Sequence, residues 1–157
     1  MNYLITGGAG FIGSHIARAL LQQGANVRIL DNFSSGKREN LNGLDVEIIE
    51  GDLRNASRVT EAVRGVNIIF HEAAFVSVPE SMEKPQECFD VNVTGTSTLF
   101  EAARKAGVNR VVIASSAAVY GDSTSMPLVE NTPLKQLSPY ATSKRIDEMY
   151  AALFTNQ

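Results

Sequence analysis

Short apolar runs alternate along this chain with longer stretches in which apolar residues return at helical spacing. NYLIT (2–6), NVRILD (26–31), VEIIEGD (46–52), VNIIFHEAA (66–74) and NRVVIASS (109–116) are strand-length and apolar almost throughout, as strands covered on both faces are. Residues 11–24, 56–65, about 86–106 and 138–154 carry the helical spacing. In the first of these, Ile12, Ile16, Ala19 and Leu20 share a face, and Gly24 is the stop signal. Strands alternating with helices predict an α/β fold: a Rossmann-like doubly wound parallel sheet with helices on both faces, formed as one domain over residues 1–157. Residues 121–138 are polar, contain two prolines and exceed an ordinary connection; such loops tend to be functional.

The junction of the first strand and first helix reads TGGAGFIG (6–13), with four glycines in seven positions. Glycine costs about 1 kcal/mol relative to alanine inside a helix, so the run implies a backbone path that side chains forbid. GAGFIG (8–13) fits G-x-G-x-x-G, and Gly7, Gly10 and Gly13 fit a second familiar spacing. In either register a strand feeds a tight turn whose N–H groups face outward at a helix N-terminus. That is an anion site, suited to a dinucleotide pyrophosphate. Asp31 ends the second strand 18 residues beyond Gly13. A carboxylate there accepts from both ribose hydroxyls and repels a 2′-phosphate, which favours NAD over NADP. Asp52, at the end of the third strand, has two readings, an adenine contact or a helix N-cap.

SPYATSK (138–144) places Tyr140 and Lys144 one helical turn apart, about 6 Å along the axis. An ammonium near a phenol favours the phenolate, which can accept a hydroxyl proton as a hydride leaves the same carbon. Ser115 and Ser116 close the fifth strand and offer hydroxyls for the reacting oxygen. His71 has no second metal ligand at useful spacing and is read as a strand-end histidine with structural hydrogen bonds; no metal is expected. Glu72 has no evident catalytic partner. Cys88, the single cysteine, lies in a helical stretch and is read as a small buried hydrophobe.

Composition narrows the function classes. A net charge of −3 from 14 basic and 17 acidic residues, with no basic cluster, argues against nucleic acid or a membrane surface as partner. No apolar run reaches the roughly 18 residues of a membrane span, and MNYLIT lacks the basic start of a signal peptide. One cysteine forms no internal disulfide, which fits a reducing cytoplasm.

TGGAGFIG, DNFSSGK, GDL, HEAA, NVTGT, SSAAVYG and SPYATSK, in this order and spacing, resemble the extended short-chain dehydrogenase/reductase family across nearly the whole chain. Within it they are most similar to the nucleotide-sugar 4-epimerases acting on UDP-glucose or UDP-N-acetylglucosamine. The resemblance implies that Gly7, Gly10, Phe11, Ile12 and Gly13 hold the NAD pyrophosphate. It assigns the adenosine ribose and its surroundings to Asp31, Asn32, Ser34 and Gly36, and the flanks of the adenine to Asp52 and Leu53. Ala73, Ala74, Asn92 and Ser115 would line the path to the nicotinamide. Tyr140 would be the acid/base, Lys144 its electrostatic partner and a ribose ligand, and Ser116 the hydroxyl that orients the substrate oxygen. Ser77, in SVPESMEKP (77–85), becomes a substrate contact.

The same resemblance implies transient oxidation at C4 of the sugar, turnover of a 4-keto intermediate and return of hydride to its other face. Sugar-nucleotide dehydratases carry acids just after the catalytic serine, where this chain has Ala117 and Ala118. Dehydration is therefore disfavoured, though a dehydratase or reductase of the same family stays the nearest alternative and a non-catalytic dinucleotide-binding module a more distant one. Family members run to about twice this length. The C-terminal substrate domain is accordingly expected to be absent, and this chain to bind NAD with little activity alone. A homodimer through the helices near 86–106 and 138–154 is implied as well.

Overall fold

The structure is a computed structural model that describes residues 1–124 and 126–155; Ser125, Asn156 and Gln157 lie outside it. In chain order its elements are β1 (Asn2–Thr6), α1 (Phe11–Gln22), β2 (Asn26–Asp31), β3 (Glu47–Glu50), α2 (Ala56–Ala62), β4 (Ile68–His71), α3 (Val78–Glu83), α4 (Pro85–Phe89), α5 (Gly95–Ala106), β5 (Arg110–Ile113) and α6 (Pro139–Thr155). They fall into two compact units, Met1–Ala74 with Gly95–Ala114, and Phe75–Thr94 with the residues from Ser115 onward.

The first unit holds a parallel five-stranded sheet of order β3-β2-β1-β4-β5. The expected doubly wound sheet is what forms. Successive strand residues point to opposite faces, and here both faces are apolar. Ile5 and Ile29 join Ala17 and Leu20 of α1 in one core, while Leu4 and Leu30 join Val59 of α2 and Leu99 of α5 in the other. Helices on both sides are thus demanded by the apolar central strands.

α1 begins at extended Gly10 and ends where Gly24, at φ 74°, reverses the chain. Its buried face differs from the expected one. Gly13, Ser14, Ala17 and Leu20 face the sheet, whereas Ile12 and Ala19 are exposed. The reason is proximity: a Cβ on Gly13 would lie 2.7 Å from the Gly8 Cα, so the helix enters too close for larger side chains. α2 starts where the Asn55 side chain accepts from the Ser57 and Arg58 amides.

In the second unit the single helix expected over 86–106 is corrected. α4 gives way to a π-helical turn at Asp90–Thr94 before α5 begins in the first unit. The π turn admits an extra residue, and within it the buried Asn92 side chain bonds the Phe75 backbone in both directions. α3 was not anticipated, although Ser77-x-x-Glu80 has the spacing of a capping box. The Ser77 hydroxyl accepts from the Glu80 amide at 3.2 Å, and Pro79 fits the first turn. β3, β4 and β5 stop short of the apolar runs that announced them: the amides of Gly51, Glu72 and Ala114 make a last bond to the neighbouring strand, and the chain then enters the carboxyl-end loops.

Gly13→Ala is expected to destabilise the fold by about 1–3 kcal/mol through overpacking, read from urea unfolding. Ala19→Ser, on the exposed face, should stay within about 0.5 kcal/mol of wild type.

Candidate functional site

The first unit carries the glycine turn and the strand-end carboxylate in which the sequence predicts an anion site. Gly7, at φ 69°, turns the chain as it leaves β1, and its amide donates to Leu30 O at 2.9 Å. Gly10 N then donates to Gly7 O, and Ser14 N to Gly10 O. The amides of Phe11, Ile12 and Gly13 form the first turn of α1, where a helix's own ladder supplies no carbonyl. Phe11 and Ile12 are 78% and 59% exposed, so their side chains are not drawn into the core.

Asp31 is buried at the end of β2. Its Oδ2 accepts from Ala9 N at 2.9 Å and its Oδ1 from Phe33 N at 2.8 Å. One carboxylate therefore ties the glycine turn to the loop after β2. That loop lies on the turn: Lys37 N and Asn40 Nδ2 both donate to Ala9 O, and a Cβ on Gly36 would sit 2.9 Å from Ala9. Asn32 and Ser34 are exposed beside it, with the Ser34 hydroxyl donating to Asn32 Oδ1.

Asp52 does not cap α2, since Asn55 does, so one of its two sequence readings is removed. Its carboxylate instead accepts from Arg54 N, Nε and Nη2 at 2.7–2.9 Å and from Asn32 Nδ2 at 2.9 Å. Hydrogen bonding from the Arg54 side chain, against the opposing effect of partial burial, holds it well below the usual carboxylate range. The Leu53 side chain is spent in the core, which leaves only its backbone for a ligand. Ala73 and Ala74 follow β4 and are half-buried. A Cβ on Gly7 would meet Ala73 N at 2.6 Å, so turn and loop touch backbone to backbone.

Tyr140, Lys144 and Ser116, the residues that the sequence predicts for proton handling, lie in the second unit. Tyr140 and Lys144 share a face of α6, with Tyr140 half-buried and its amide donating to Ser81 Oγ at 3.2 Å. Lys144 is 4% exposed and Asp147 2%, and the Lys144 Nζ stands 3.6 Å from Asp147 Oδ2. A buried ammonium needs such a counter-charge. Ser116 is half-buried before a 3₁₀ turn at Ala117–Tyr120, its hydroxyl accepting from Ala118 N.

Ser115 is engaged elsewhere: its hydroxyl donates to Glu148 Oε1, which Arg145 also pairs. Burial pushes Glu148 up, but these two partners outweigh it and the carboxyl sits below its ordinary value. Asn92 spends its amide on Phe75 and on Ser143 Oγ, and Ser77 caps α3. Cys88 is buried, and that burial raises its thiol, as expected of a packing residue. His71 is buried between Thr6 and Thr96 hydroxyls, a structural setting. No group of three potential metal ligands occurs among the described residues.

Arg54 and Asp147 went unnoticed in the sequence. Both had a signal in spacing: GDLR places a guanidinium two residues after Asp52, and Asp147 is a helical neighbour of Lys144 at i,i+3. The cradle of bare glycine backbone, first-turn amides and a strand-end carboxylate fits a dinucleotide pyrophosphate and ribose.

Comparison with known proteins bears on this reading. The family model described as NAD dependent epimerase/dehydratase family matches residues 3–157. A UDP-glucose 4-epimerase of Erwinia amylovora is 43% identical over 94% of this chain and 47% of its own length. A UDP-glucose 4-epimerase of Klebsiella pneumoniae is 45% identical over 83% of this chain and 100% of its own. The Thermus thermophilus UDP-glucose 4-epimerase, solved in complex with NAD, superposes with a TM-score of 0.94 at 41% identity, over 99% of this chain and 51% of that one. A UDP-N-acetylglucosamine 4-epimerase from Methanobrevibacter ruminantium, in complex with UDP-N-acetylmuramic acid, gives 0.92 at 39% identity, over 99% and 51%. Against most of these relatives the chain spans about half their length.

Because Asp52 has a lowered folded-state pKa, its contribution is fully present above its unfolded pKa of about 3.9 and is lost as pH falls through the folded value. Arg54→Met should therefore lower stability at about pH 6, and the gap from wild type should narrow as the pH is taken towards about 2. Urea unfolding across that range reads the effect.

Proposed function

The chain belongs to the NAD dependent epimerase/dehydratase family, and from that premise we propose that it is the cofactor-binding portion of an NAD-dependent UDP-sugar 4-epimerase. The observation that carries the reading is the retention of Ser116, Tyr140 and Lys144 in one chain with an intact glycine turn and Asp31. A module that only bound a dinucleotide would need none of the three. After Ser116 the 3₁₀ turn offers only the methyl groups of Ala117 and Ala118, so no acid stands there for elimination of water. This favours epimerisation over dehydration.

The amides of Phe11, Ile12 and Gly13 would hold the pyrophosphate, and Asp31 would accept from the adenosine ribose. NAD bound there would supply the hydride-accepting and hydride-donating chemistry. Tyr140 takes the proton of the sugar 4-hydroxyl and later gives it back, so it acts as base and then as acid. Lys144 supplies a cation one helical turn from Tyr140, paired with Asp147. Ser116 donates to the substrate oxygen and orients it. Because hydride out and hydride back cancel, the reaction has no net redox change.

The nucleotide of the substrate is proposed as UDP on the strength of the relatives' own substrates. The lone buried Cys88 supports a reducing, cytoplasmic setting, and no helix among the described residues is long and apolar enough to cross a membrane. Exposed Phe89 on α4, with Met149 and Leu153 on α6, supports a homodimer through these helices; light scattering should return twice the chain mass, and a monomer at working concentration counts against it.

Titration calorimetry should show NAD+ binding by the 157-residue chain, with little turnover of UDP-glucose by that chain alone. In a protein that contains these residues and is active, Tyr140→Phe should lower turnover by about a hundredfold or more while leaving NAD+ bound. NMR of the product decides the class: the C4 epimer is expected, whereas a 4-keto-6-deoxy sugar would establish a dehydratase.

A further inference from the structure

We propose that His71 is a positioning residue of the cofactor site: it sets the glycine turn through Thr6. The inference rests on reading that turn as the dinucleotide cradle, and it concerns a residue with no part in the chemistry proposed above.

His71 is the last residue of β4 and is buried. Its Nδ1 lies 2.6 Å from Thr6 Oγ1 and its Nε2 lies 2.8 Å from Thr96 Oγ1, and both threonines are buried. Thr6 ends β1 and directly precedes Gly7. Its hydroxyl also accepts from Ala73 N at 3.3 Å, the amide against which the bare Gly7 Cα packs. Thr96 belongs to the first turn of α5, whose leading Gly95 is pressed onto the Leu53 side chain, with 2.8 Å to a built Cβ. One imidazole thus joins the turn after β1, the loop after β4 and the start of α5.

The chemistry of the ring suits the task. A neutral imidazole has one donor and one acceptor, and a hydroxyl can serve as either, so both tautomers satisfy both contacts. An apolar side chain in its place would leave two buried hydroxyls without this partner, which a buried polar group tolerates poorly. An anion is held by the direction of the turn's amides. If Thr6 is free to shift, those amides are free to reorient.

The test uses Thr6→Val, which removes the hydroxyl with little change of shape, Thr6→Ser, which keeps it, and His71→Phe. Two readouts are taken: the NAD+ dissociation constant, and amide hydrogen exchange of residues 7–13 against α2 as an internal reference. Thr6→Val and His71→Phe should weaken NAD+ binding by about tenfold or more and speed exchange in residues 7–13 alone, with Thr6→Ser within about twofold of wild type. Should His71→Phe not fold, the two Thr6 variants decide. Unchanged exchange in Thr6→Val, or equal damage in Thr6→Ser, overturns the inference whether or not cofactor binds. Failure of the wild-type chain to take up NAD+ is a failure of the cofactor reading instead, and the exchange data still decide whether the histidine sets the turn.

Discussion

Where the chain leaves β1, Gly7 lies against the backbone of Ala73 and Gly13 lies against Gly8. Each contact is closer than any Cβ would permit, and both depend on the missing side chains. The first allows the turn to lie down on the loop that follows β4. The second brings α1 to the sheet at a distance only small residues can fill, which is why Ala17, rather than the larger Ile12, faces inward. With the helix start so placed, its first-turn amides emerge at the carboxyl edge of the strands, where a parallel sheet of this order collects its ligands. The buried carboxylate of Asp31 then fastens Ala9 from the neighbouring strand. The position of the helix start is thus a consequence of packing, and its partial positive charge comes from amides that the helix cannot use itself.

The second unit answers a different constraint, that of keeping an ammonium out of water. Burying Lys144 carries a desolvation penalty of several kcal/mol, and the Asp147 carboxylate one turn along the same helix offsets it. Around this pair, Asn92 and Ser143 bond to one another and Asn92 to the Phe75 backbone, a closed polar network. A satisfied network of this kind fixes side chains that an apolar core would leave free to exchange rotamers. Glu148, on the same helix, is spent on Ser115 and Arg145. Tyr140 and Ser116, by contrast, remain half-buried.

Much of this architecture was legible before any coordinates. The five apolar runs became five parallel strands, and the central ones, with Leu4, Ile5, Ile29 and Leu30 buried, have no solvent face to offer. The glycine pattern was legible for the same reason: a cluster so costly elsewhere has few other uses. The interior face of α1 was misjudged, since periodicity counts hydrophobic residues and cannot see how near a glycine lets a helix approach. The break at Asp90–Thr94 was hidden because DVNVT contains neither glycine nor proline before Gly95, and only the tertiary bonds of Asn92 reveal it. Charged partners two or three residues away, Arg54 for Asp52 and Asp147 for Lys144, were visible as spacing but silent as to whether the side chains would meet.

The central claim is that the turn from Gly7 to Gly13 cradles a dinucleotide. A crystal structure of the chain grown with saturating NAD+ tests it most directly. The account predicts pyrophosphate oxygens within hydrogen-bond distance of the Phe11–Gly13 amides and an adenosine ribose beside the Asp31 carboxylate. A turn with no cofactor on it under those conditions, or a pyrophosphate seated at the opposite edge of the sheet, would contradict it.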